Sequence, residues 1–247
     1  MRHLCGQAAC PDSLALFEPA YPFSNSDAKR PIRLTVETVM VTIAALATVR
    51  MLNVPEASNL RWFMIPSLLV AAALVPAWIG RREFPRLGLE SERIGQVLGI
   101  VCRAFVCALP VVFLALWLMK SLSLAIPLRP IIGRQQDWLT WLLYQFLYVA
   151  VAEEVFFRGY VQANVMEILS RSRRRSTRAN HGIAILISAA CFALAHAVVQ
   201  GRITSLATFL PGVLLAWLFI RTRSLLAPIL FHGLANVAYG IMVMTLA

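Results

Sequence analysis

Three apolar stretches of this chain carry polar side chains that a hydrocarbon environment expels unless they have partners or a task. The first reads Val151-Ala-Glu153-Glu154-Val-Phe-Phe-Arg158, the second Phe192-Ala-Leu-Ala-His196 and the third His232-Gly-Leu-Ala-Asn236. An acidic residue at the centre of a membrane helix costs roughly 2.5–3.5 kcal/mol on insertion scales. Glu154 and Arg158 are four residues apart, so a helix puts them on one face as an ion pair that offsets part of that cost. Glu153 is rotated by about 100° and has no such local partner. A buried pair that only locks helix packing explains Glu154 and Arg158 but leaves Glu153 unexplained.

Peptide hydrolysis needs an activated water and donors for the oxyanion that forms on the attacked carbonyl. A carboxylate with a histidine can hold and deprotonate water, and a second histidine with an asparagine amide can donate to the oxyanion. Glu153, His196, His232 and Asn236 supply that inventory; His232 and Asn236 share a helical face. Two histidines and a glutamate could also ligate zinc with an open position. No His-Glu-x-x-His occurs, however, because Ala197 follows His196 and Gly233 follows His232, and the metal-free reading is favoured. Serine and aspartyl designs lack their Gly-x-Ser-x-Gly and Gly-x-Gly-Asp signatures. A Cys191 thiol is poorly aligned with His196, five residues away.

These residues resemble the CAAX-protease and bacteriocin-processing enzyme (CPBP, or Abi) family, which includes the Ras-converting CAAX prenyl endopeptidases. The matching signatures are Glu153-Glu154-x-x-x-Arg158, Phe192-x-x-x-His196 and His232-x-x-x-Asn236, in the family's order, within a core at 138–240. The resemblance implies an intramembrane endopeptidase of glutamic type. In it Glu153 and His196 activate water, His232 and Asn236 form the oxyanion site, and Glu154 and Arg158 support the architecture. It implies a membrane-associated protein or peptide as substrate and no cofactor; prenylated substrates are not implied. The competing classes are an ion-coupled transporter, which also uses intramembrane Glu, Arg and His, and a non-catalytic immunity or binding protein.

Elements that position such residues follow from composition. The chain has 247 residues, 59% hydrophobic and 14% charged, with a mean hydropathy of +0.71. A water-soluble domain cannot cover that much apolar surface. The expectation is an all-α polytopic transmembrane bundle of about seven spans, with eight helices as the upper reading. The spans fall near 34–52, 62–80, 94–119, 138–160, 182–201, 203–220 and 224–246; the fifth and sixth are separated only by a break at Gly201-Arg202. Residues 1–31 form an N-terminal cytoplasmic segment without the apolar core of a signal peptide, and 32–247 the membrane domain.

The formal net charge of +11 sits in the gaps between spans rather than on a helix face, which argues against nucleic acid and for the loops of a membrane protein. With the N-terminus inside, fifteen basic residues fall on the inner side and six on the outer, so a cytoplasmic N-terminus in a bacterial inner membrane is expected. The run Arg171–Arg178 is expected to be a solvated cytoplasmic loop that sets topology, with binding of anionic lipid head groups as the second reading. It also predicts the depth of the site: Glu153 and His196 are symmetric about it, so a helical hairpin brings them to one layer. Pro211 and Pro228 are candidates for kinks that open a polar cavity. Arg103 and Glu37 either line that cavity or snorkel. The five cysteines show no paired Cys-x-x-Cys spacing and form no disulfide framework.

Overall fold

The computed structural model describes residues 30–52, 61–85, 91–124, 137–171 and 176–246. The segment 1–29 and residues 172–175 of the basic run lie outside them. Seven helices make up the described bundle: α1 Arg30–Leu52, α2 Arg61–Ile79, α3 Ser91–Ser121, α4 Trp138–Ser170, α5 Thr177–Gln200, α6 Phe209–Thr222 and α7 Leu226–Leu246. No strand occurs among the described residues. Six helices are long and apolar enough to cross a membrane, whereas α2 is apolar over the shorter stretch Phe63–Ile79. The expected helical bundle is thus present, but six of its seven helices, not all of the seven expected spans, have the length and apolarity to cross.

Local chemistry sets the helix ends. The Asp137 carboxylate opens α4 by accepting from the Thr140 backbone N–H at 3.1 Å and hydroxyl at 2.9 Å. Ser176 opens α5 by accepting from the Ala179 N–H. The break at Gly201-Arg202 is real: Gly201 has φ of 63° and its N–H caps the Ala197 carbonyl. A 3-10 stretch, Ile203–Thr208, then leads into α6. Pro211 stands just past that junction, and Pro228 is the third residue of α7. A proline in a first turn costs no helical hydrogen bond, so Pro228 starts its helix instead of bending its interior.

The bundle is built around α4, which packs against α1, α2, α5, α6 and α7, while α3 runs along α7 on the outside. Phe156, Tyr160, Val161, Leu215, Leu218, Leu225 and Ala227 form the most deeply buried part of the core. Large apolar side chains such as Trp78, Val106, Val111, Leu114 and Leu210 face outward. That surface would be insoluble in water and is the expected lipid face. The protein is an integral membrane protein.

Polar side chains are spent inside the bundle as clamps. Arg158 donates to the Gly212 carbonyl at 3.2 Å and Gln162 to the Ala216 carbonyl at 3.0 Å, four residues on in both helices, which ties one face of α4 to α6. Ser188 of α5 donates to the Phe157 carbonyl at 3.2 Å. Glu37 of α1 joins these clamps. It pairs with Arg82 and accepts from the Tyr160 hydroxyl at 3.1 Å, while Arg82 reaches Asn164 and Asn164 reaches Thr38. Arg103 is exposed on α3 and its Nε donates to the Gly99 carbonyl.

Candidate active site

The glutamates occupy an unusual part of α4. Two π-helical stretches, Tyr144–Ala150 and Val155–Gln162, flank a single regular turn, Val151–Glu154, that carries Glu153 and Glu154. A π turn takes up an extra residue and re-aims the side chains beyond it, and such widenings concentrate at functional positions. Here the second one is buried along its whole length, with Arg158 at its centre.

Arg158 and Glu154 form the expected ion pair, Nη1 to Oε1 at 2.8 Å, with both side chains 0% exposed. The guanidinium also lies 4.6 Å over the Phe192 ring. The same Glu154 oxygen stands 2.6 Å from His232 Nδ1. An ionised carboxylate only accepts, so Nδ1 carries the proton and His232 is held with Nε2 directed away from Glu154. His196 is fixed likewise by its own helix: Nδ1 lies 3.0 Å from the Phe192 carbonyl, which again only accepts. The Phe192 ring packs against both imidazoles, its centroid 4.4 Å from that of His196 and 5.8 Å from that of His232.

Both Nε2 atoms converge on Glu153. Its Oε2 is 3.9 Å from His196 Nε2 and 3.8 Å from His232 Nε2. That oxygen is buried and has no hydrogen-bond partner among the described residues. Glu153 and His196 keep 20% and 18% of their side-chain surface, against none for Glu154 and Arg158. The layer holding Glu153 and His196 is therefore open, and the layer behind it is sealed.

The structure brings Glu153, His196 and His232 together, with Glu154 and Arg158 behind them as the spacing predicts. The fourth candidate, Asn236, lies one turn beyond His232 on α7, where its Nδ2 donates to Gln145 Oε1 at 3.0 Å. Gln145 was not singled out by the sequence reading. On an unbroken α-helix it would point about 80° from Glu153; the π widening between them changes that offset. Zinc would draw on Glu153, His196 and His232. Among the described residues no three His, Cys, Asp or Glu side chains are grouped so as to hold a metal ion.

Gly233 was legible only as part of a motif. A Cβ at this position would run into the Phe146 ring, so α7 reaches α4 here because the side chain is absent. Gly233→Ala is expected to cost about 1–3 kcal/mol by overpacking. Adding Phe146→Leu should recover part of it, as measured by thermal unfolding in detergent. An unchanged unfolding temperature in Gly233→Ala would show that the helices do not depend on this contact.

The described site is thus a carboxylate and two histidines that meet inside a polytopic helical bundle. Residues 135–238 match the family model described as Rce1-like, type II CAAX prenyl endopeptidase Rce1-like. That segment contains all three motifs, and the resemblance to the CAAX-protease family is borne out over it. The matched family is described as one of endopeptidases, and the match spans less than half of the chain. Comparisons with curated proteins and with solved structures find no match.

Proposed function

We propose that the protein is a metal-free intramembrane endopeptidase of glutamic type acting on a membrane-associated protein or peptide. The observation that carries this reading is the Glu153 oxygen that has no hydrogen-bond partner among the described residues and faces two imidazole Nε2 atoms. Separations of 3.8 and 3.9 Å are too long for direct hydrogen bonds and suit a water bound at about 2.8 Å to both partners.

In the proposed reaction Glu153 takes a proton from that water while His196 Nε2 accepts a hydrogen bond from the remaining O–H, which stays on the attacking oxygen. The oxygen attacks the substrate carbonyl carbon. For His232 to donate to the resulting oxyanion, Nε2 must also be protonated, since Nδ1 is already committed to Glu154. With His232 as imidazolium, Glu153, Glu154, Arg158 and His232 sum to zero charge, an arrangement the low-dielectric interior favours over an unpaired ion. Asn236 contributes the Nδ2 hydrogen that Gln145 does not hold. Glu153 then passes its proton to the leaving nitrogen, the C–N bond breaks, and a carboxylic acid and an amine separate. Glu154 and Arg158 hold His232 and do not touch the substrate.

In a bacterial inner membrane with the N-terminus cytoplasmic, α4 would run inward and carry Glu153 near its midpoint. Purified protein in proteoliposomes, incubated with a peptide library, is expected to generate new termini detectable by mass spectrometry, and His196→Ala to abolish them. The yield should be unchanged by a zinc chelator. Cleavage that persists in His196→Ala would reject the site. Loss on chelation, restored by added zinc, would reject the metal-free mechanism. Solute flux without cleavage would favour the carrier.

A further inference from the structure

We infer that Gln145 is a positioning residue that orients the Asn236 amide for catalysis, extending the site along α4 beyond the three motifs. The inference rests on the proposed peptidase reading and deepens it. Gln145 is 7% exposed in the apolar first half of α4, an expensive place for an amide that serves only to fill space. Its Oε1 receives the Asn236 Nδ2 at 3.0 Å.

That hydrogen bond couples what Asn236 presents to the orientation of the Gln145 amide. An asparagine amide has a donor end and an acceptor end of nearly equal size, and in an apolar pocket either orientation fits sterically. With Gln145 presenting Oε1, the Asn236 Nδ2 end is turned toward it and the second N–H of Nδ2 is carried on the same side; with both amides turned over, Gln145 Nε2 would donate to Asn236 Oδ1 instead, which a carboxylate at position 145 forbids. If the amide turned over, Oδ1 would take the place of the donor. An oxygen lone pair facing a developing oxyanion raises the barrier, whereas a donor lowers it.

Backbone geometry accounts for Gln145 reaching this layer. In an α-helix the eight residues from Gln145 to Glu153 leave the two about 80° apart. One residue taken up by the widening at Tyr144–Ala150 shifts that by about 100°, which brings them within about 20° of a common face. The next residue, Phe146, is the one that Gly233 admits against α7. The π stretch therefore both docks α7 and delivers the acceptor for Asn236.

The experiment is a double-mutant cycle on purified protein, with an internally quenched peptide taken from the library as probe. Gln145→Met, close in shape and without the amide, is expected to lower kcat about tenfold or more with KM unchanged. This is less than the about 10²–10³-fold assigned to deleting an oxyanion donor outright, here by Asn236→Ala. In the Asn236→Ala background Gln145→Met should add no further loss, because its effect passes through Asn236. Gln145→Glu keeps an acceptor oxygen and should show a kcat above that of Gln145→Met. An unchanged kcat in Gln145→Met, or the same loss repeated in the Asn236→Ala background, overturns the proposal and leaves the peptidase reading standing. If the parent protein cleaves no peptide, the peptidase reading falls. Thermal unfolding of the four cycle members then decides the pairing separately: non-additive unfolding temperatures support it, and additive ones overturn it.

Discussion

Glu153→Gln is expected to leave a folded protein that cleaves peptide about 10²–10⁴-fold more slowly, the range assigned to general acid–base catalysis. The substitution preserves shape and removes only the ability to take a proton. The fold should tolerate it, because among the described residues the Glu153 Oε2 forms no hydrogen bond that the amide would lose. His232 and His196 keep their Nδ1 contacts to Glu154 and the Phe192 carbonyl. Initial rates on the quenched peptide, beside thermal unfolding in the same detergent, separate the two effects. A rate within a few-fold of the parent would remove Glu153 from the role of base.

Arg158→Met should act in the opposite way, on the fold first. It strips the fully buried Glu154 of its 2.8 Å partner and the Gly212 carbonyl of a donor. Removing one member of a buried pair costs about 3–5 kcal/mol, because the remaining charge is uncompensated. Replacing both members by apolar residues of similar size often costs far less. The double variant Glu154→Leu with Arg158→Met is therefore expected to regain most of the lost stability. Activity should not return with it, since His232 Nδ1 would have no carboxylate to hold it. Thermal unfolding and cleavage rates of the single and double variants test both halves. Cleavage at the parent rate in the double variant would mean that Glu154 does not orient His232.

The contrast between the two carboxylates was already present in the sequence. Glu154 had Arg158 at the helical spacing of a pair and Glu153 had nothing, and the structure keeps that division as a sealed layer and an open one. The hairpin symmetry of Glu153 and His196 about the basic run also held, placing a carboxylate oxygen and an imidazole nitrogen 3.9 Å apart. One local expectation gave way: Pro228 stands in the first turn of its helix, where it does not kink the interior. Glu37 is bound into a network with Arg82 and Tyr160, partners that spacing along one helix does not report.

What the sequence determined by itself was the membrane bundle and the chemistry available within it. A bilayer forces every spanning segment to satisfy its own backbone, so apolar length alone specifies helices. The cost of a buried charge makes each intramembrane Glu, His and Arg stand out. Only the tertiary structure decided where those groups meet and which way they face. The two π widenings of α4 change the helical phase by amounts that a period of 3.6 cannot anticipate. The pairing of Gln145 with Asn236 and the close approach at Gly233 exist only once α7 is docked on α4. Helix formation is a local property of the chain, whereas the orientation of an amide or an imidazole is set by the single partner that another helix brings to it.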